Sequence, residues 1–210
     1  MRTRPSREVE TRMASVIARE NTETSWFGTS SGKFAMWLFI MSDALTFASL
    51  LIAYGFMRLT SPSWPVRTEI FDMRLITFMT FALISSSASM AMAVGAAKGR
   101  NAAHAVKFLG ATIVGGIIFL GCQAFEWTHF IREGATPFKN PWGVPQFSGS
   151  FFVVTGFHGL HVLSGVLVLL VVLIRALRNN YSAEGVELAG LYWHFIDIVW
   201  VFVFAFFYLL

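Results

Sequence analysis

Apolar residues run along this chain in five long stretches, at 34–57, 75–97, 106–130, 151–174 and 188–210, with polar residues gathered in the gaps. Each stretch reaches the ~20 residues that an α-helix needs to cross ~30 Å of hydrocarbon. The pattern predicts an all-α fold: an integral membrane bundle of five transmembrane helices over 33–210, preceded by a polar N-terminal tail over 1–32. The gaps are short. Thr60-Ser61-Pro62-Ser63-Trp64-Pro65 is rich in turn formers, and so is the segment 136–148 with Pro137, Pro141 and Pro145. Lys98-Gly99-Arg100-Asn101 and Asn179-Asn180-Tyr181-Ser182 make the other two connections. No soluble domain fits between the spans, and the tail carries no short apolar core of a secretory leader.

Composition strengthens this reading. Of 210 residues, 55% are hydrophobic and 13% charged, about half the charge of a soluble domain. The 22 phenylalanines make an interior that lipid can cover and the remaining polar residues cannot. The net charge of +4 does not point to nucleic acid, because the charges lie between apolar runs and form no basic stripe. One side of the predicted bundle collects Arg2, Arg4, Arg7, Arg12, Arg19, Lys33, Lys98, Arg100, Lys107, Arg175 and Arg178. The other side has Arg58, Arg67, Arg74, Arg132 and Lys139. The positive-inside rule then expects a cytoplasmic N-terminus and a C-terminus outside. Cys122 has no second cysteine to pair with and reads as a small apolar residue.

Candidate chemistry lies in the residues that hydrocarbon disfavours. A central charge costs a membrane helix at least ~2.5–3.5 kcal/mol, yet Asp43, Glu126, His129, His158, His161, His194 and Asp197 all fall in or near predicted spans. Glu126 and His129, His158 and His161, and His194 and Asp197 are each spaced i,i+3 and share a helix face. The second span has no such group but contains Ser85-Ser86-Ser87-Ala88-Ser89, which suits close helix packing. Three readings stand here. The groups satisfy one another across helix interfaces, or they gather a metal or a haem, or they handle protons. A di-iron bundle needs Glu-x-x-His on two helices, and one copy is present; a bis-histidine haem would need His158 or His161 facing His194. Trp193 and Trp200 read as packing residues, as do the methionines.

Longer strings carry a resemblance. Thr155-Gly156-Phe157-His158-Gly159-Leu160-His161 resembles the fourth-span signature of subunit III of the haem-copper terminal oxidases, and Trp193-His194-Phe195-Ile196-Asp197-Ile198-Val199-Trp200 resembles that family's last helix. The segment Trp37-Leu38-Phe39-Ile40-Met41-Ser42-Asp43 is similar to the family's Ser-acid segment, where many members carry the longer Glu. Glu126 matches the acid of the third span, and Glu187 the acid ahead of the final helix. The likeness extends from Trp37 to Leu210 and is to the short, five-helix bacterial form; Asp43 and the Glu126–His129 pair look closer to the quinol-oxidase branch.

The resemblance implies a non-catalytic subunit of the bacterial cell membrane that holds no haem, copper or other metal. Those centres would belong to partner subunits I and II, which reduce dioxygen and pump protons in respiratory electron transport. It also implies bound phospholipid and support of proton uptake and turnover. The polar set Asp43, Glu126, His129, His158, His161, Glu187, His194 and Asp197 would then be structural, with Glu126 near His158 or His161. Two rivals use the same residues: a standalone haem or metal enzyme on His158, His161, His194 and Glu126, and a small transporter with Asp43 or Glu126 as its proton site. Transporters favour broken helices, and Gly115-Gly116 is the one possible break within a span.

Overall fold

The structure, a computed structural model, describes residues 30–178 and 180–210. Most of the polar tail, with its five arginines, lies outside the described residues, as does Asn179. Five long helices follow: α1 Ser31–Thr60, then after a single turn α2 (Arg67–Ile70), α3 Met73–Lys98, α4 Ala102–Arg132, α5 Pro145–Leu177 and α6 Ala183–Phe204. A π-helical turn, Ala205–Leu209, prolongs the last. The shortest candidate span has 26 residues, about 39 Å at ~1.5 Å per residue, enough to cross a bilayer core. No strand occurs among the described residues.

The helices outrun the apolar stretches because their ends are capped in polar surroundings. Asp72 accepts from Arg74 N–H at the start of α3, Asn101 from His104 N–H at α4, and Ser182 from Gly185 N–H at α6. Pro145, expected in a loop, opens α5 instead; its fixed φ and missing N–H suit the first helical turn. The loop before it is organised by buried Asn140, whose Oδ1 accepts from Trp142 and Val144 N–H and whose Nδ2 donates to Val144 O and Ser148 Oγ.

Contacts divide the chain into Met1–Met41 and Ser42–Leu210. In the first unit, Ser30 Oγ accepts from Lys33 N–H at the start of α1. The second unit has its core where α3 packs on α4 and α6, and α5 on α4 and α6. Ile76, Met79, Leu83, Met90, Phe119, Phe151, Trp193 and Trp200 are all buried there. The Gly115-Gly116 pair does not break α4; it admits neighbours. A Cβ on Gly115 would lie 2.6 Å from Ser86 Cβ, and one on Gly116 would lie 2.5 Å from the Trp193 ring. At one end of this unit an aromatic cluster gathers Phe71, Phe130, Phe151 and Tyr208, with Phe130 stacked on Phe151 at 4.8 Å.

Candidate functional site: polar groups inside the hydrocarbon layer

Each helix interface of the second unit holds its own small polar set. Between α1 and α5, Asp43 Oδ2 lies 3.2 Å from His161 Nε2, an ion-pair contact rather than an aligned hydrogen bond. His161 Nδ1 faces the Phe157 carbonyl at 2.7 Å, so that nitrogen carries hydrogen. Nε2 then meets a carboxyl group. Such a pair is favourable with one shared proton, as imidazolium with carboxylate or as imidazole with carboxylic acid, and both forms are neutral in sum. Ser164, one helical turn on, bonds both the His161 carbonyl and Tyr192 Oη of α6.

His158 does something different. It is fully buried, and Nε2–H donates to the Ile196 carbonyl of α6 at 3.2 Å. Its ring is enclosed by Phe119 and Trp200. Glu126 is not its partner, contrary to the expectation from sequence. Buried Glu126 accepts through Oε2 from Tyr208 Oη at 3.1 Å, across the α4 interface with the π-helical turn. One turn earlier Gln123 donates to the Thr155 carbonyl, and Trp127 Nε1–H donates to Thr155 Oγ1. Gly159 and Gly156 make room for these two side chains, since a Cβ there would come within 2.7 Å and 2.9 Å of them.

The α3 serines bond as a packing helix requires. Trp193 Nε1–H donates to Ser86 Oγ, Ser89 Oγ donates to the Phe108 carbonyl, and Ser87 Oγ lies 2.6 Å from His194 Nδ1. Asp197, one turn further along α6, lies beside the same face of α3, and its Oδ1 is buried without a hydrogen-bond partner among the described residues. Two members of the expected buried set stand apart. His129 is exposed and contacts Glu133 at 3.3 Å on its own helix; the buried face of α4 continues from Glu126 to Phe130, and His129 lies just past its edge near the helix end. Glu187 makes a half-buried ion pair with Lys98, 3.3 Å away, where α3 ends and α6 begins.

The histidines therefore point to different interfaces: His158 to a carbonyl between α5 and α6, His161 to α1, His194 to α3. Among the described residues no three His, Cys, Asp or Glu side chains converge as a ligand set. Several partners could not be expected from the acids and imidazoles alone. Tyr208, Tyr192, Ser164 and the Ile196 carbonyl complete the sets, and only the hydroxyls leave a mark in sequence, as polar residues inside otherwise apolar spans.

Comparison with known proteins identifies the arrangement. The chain is 38% identical to cytochrome c oxidase subunit 3 of Synechocystis over 182 residues, covering 84% of this chain and 75% of that protein. It is 34% identical to cytochrome c oxidase subunit 3 of Bacillus subtilis, covering 83% and 84% of the two chains. It is 32% identical to cytochrome bo(3) ubiquinol oxidase subunit 3 of Pseudomonas aeruginosa, covering 84% of each. The family model described as cytochrome c oxidase subunit III matches residues 15–210. The chain belongs to the cytochrome c oxidase subunit III family.

Proposed function

We propose that this chain is the non-catalytic third subunit of a haem-copper respiratory oxidase in a bacterial cell membrane. One observation carries the reading beside the family match: Asp43, Glu126, His158, His161 and His194 each meet a group on another helix or helical turn, and among the described residues no three potential ligands converge. In this reading the haem and copper centres sit in subunits I and II, and this chain packs against the catalytic partner. The uneven distribution of Lys and Arg supports a cytoplasmic N-terminus and a C-terminus outside in this reading.

Phospholipid is the small molecule this subunit would hold. A groove of about 300 Å³ between α1 and α6, lined by Ala44, Phe47, Leu51, Phe195, Val199 and Phe202, is apolar throughout and suits an acyl chain. A second cavity of about 300 Å³ includes Arg58, Trp64 and Arg67, residues suited to a headgroup at the membrane surface. By holding lipid and the catalytic partner together, the subunit would sustain proton uptake and durability under turnover.

Deleting the chain tests this. The remaining complex should start to consume oxygen at a comparable rate, then lose activity over fewer turnovers and take up protons more slowly. A haem or copper absorption spectrum in the purified single chain would defeat the reading and favour a standalone redox protein on His158, His161, His194 and Glu126.

A further inference from the structure

Where α5 ends and α6 begins, the chain shapes a cavity of about 260 Å³ whose lining includes Val172, Arg175, Asn180, Tyr181, Ser182 and Val186. Asn180 N–H donates to the Arg175 carbonyl at 2.9 Å, which folds the connection back over the last turn of α5. Both neighbouring helices are candidate spans, Pro145–Leu177 and Ala183–Leu209. The cavity therefore lies at the level where hydrocarbon gives way to headgroups.

This cavity is rich in donors. The Arg175 guanidinium offers a planar fork of N–H groups, and none of the ion pairs among the described residues engages it. Ser182 Oγ accepts from Gly185 N–H at 3.0 Å, which leaves its own hydrogen to donate. The Tyr181 hydroxyl and the Asn180 amide add further donors. Among the described residues no Asp or Glu lines the cavity, although Glu184 is close in sequence. A cation and hydroxyl donors without a carboxylate suit a phosphate, and they give a bound ammonium nothing to pair with.

The approach to the cavity is apolar. Arg175 follows exposed Leu167 and Val171 at i+4 steps along one face of α5. An acyl chain lying on that face brings its phosphate to the guanidinium, and Val172 and Val186 meet the glycerol beside it.

We propose that the α5–α6 cavity binds the headgroup of an anionic phospholipid, with the phosphate on Arg175 and headgroup hydroxyls on Asn180, Tyr181 and Ser182, and that it discriminates against zwitterionic headgroups. The proposal rests on the reading of phospholipid as this subunit's ligand and deepens it by naming a site and a headgroup charge. Basic pockets between membrane helices hold anionic headgroups in the same way.

Photolabelling of the intact complex in phosphatidylcholine vesicles tests it. A phosphatidylglycerol probe and a phosphatidylcholine probe carry the same photoreactive group close to the glycerol, and labelled residues are mapped by mass spectrometry. The phosphatidylglycerol probe should label the α5 and α6 residues flanking the cavity about fivefold more than the other, the scale of one arginine at a membrane surface. Arg175→Gln should abolish that preference. Arg178→Gln, which deletes the same charge from a neighbour outside the cavity lining, should keep it. Equal labelling by the two probes, or labelling confined to other segments, overturns the proposal. An equal loss in both variants overturns it as well, since diffuse surface charge would then suffice. So does displacement of the phosphatidylglycerol probe by millimolar inorganic phosphate, which would mark a site for soluble anions. Failure of both probes to label any part of the chain would instead overturn the phospholipid reading on which the proposal rests.

Discussion

The α3–α4–α6 contact and the Ser42–Thr60 part of α1 hold their neighbours in different ways. In the former, small residues bring backbones together: Gly115 meets Ser86, Gly116 meets Trp193, Gly190 meets Met90 and Val94, and serine hydroxyls fill the remaining acceptors. In the latter, side chains bridge a wider gap. Phe47 reaches Phe157 at 4.9 Å, Tyr54 meets the tilted ring of Phe207 at 4.0 Å between centroids, Asp43 meets His161, and an apolar groove remains open alongside. The lesson concerns membranes generally. With no hydrophobic drive between helices in lipid, tight association comes from close backbone approach and hydrogen bonds; where only large side chains touch, space is left that another molecule can fill.

This contrast breaks down if the two regions respond alike to substitution. The largest effect should come from Gly116→Val, which drives new atoms into Trp193 and Val166. We expect a loss of about 3 kcal/mol or more, read as failure to accumulate in the membrane or a steep fall in the thermal midpoint of the complex. Glu126→Ala should cost about 1–3 kcal/mol by stranding the buried Tyr208 hydroxyl, with Glu126→Gln much milder because an acceptor remains. Full yield and an unaltered thermal midpoint for Glu126→Ala would remove the case for a stabilising Glu126–Tyr208 bond.

Asp43→Leu should cost about 1 kcal/mol and act locally. Hydrogen exchange should quicken in residues 42–60 and leave α3 and α4 unchanged; equal loosening of all helices would mean that the two regions are one cooperative unit. Gly55→Ala should go the other way. A Cβ there finds its nearest neighbour, Phe206, at 4.0 Å, an ordinary contact, and the better helix former should add about 0.5–1 kcal/mol. Smallest of all, Lys98→Met should remove at most about 0.5 kcal/mol by opening the ion pair with Glu187, an effect that added salt erases.

Much of the fold is legible in residue order because the bilayer imposes a length and a composition that few other environments demand. Five stretches in the sequence become five helices, and the serine run of the second span becomes the packing edge of α3. The site is less legible. An i,i+3 spacing says that two side chains share a helix face; it does not say which neighbour that face meets. Hence His129 follows Glu126 in sequence yet turns outward, and Glu126 finds Tyr208 rather than a histidine. Glu187 likewise matches a family position and proves to be one half of an ion pair near the membrane edge.

Sequence alone determined that this chain lives in lipid, crosses it five times and carries the strings of one oxidase subunit family, because those properties depend on local apolar length and on contiguous residues. Which acid meets which donor was decided only by the tertiary structure. Helix rotation and approach place partners as distant as Ser87 and His194, or Glu126 and Tyr208, within hydrogen-bond reach, and some partners are carbonyls that every residue possesses.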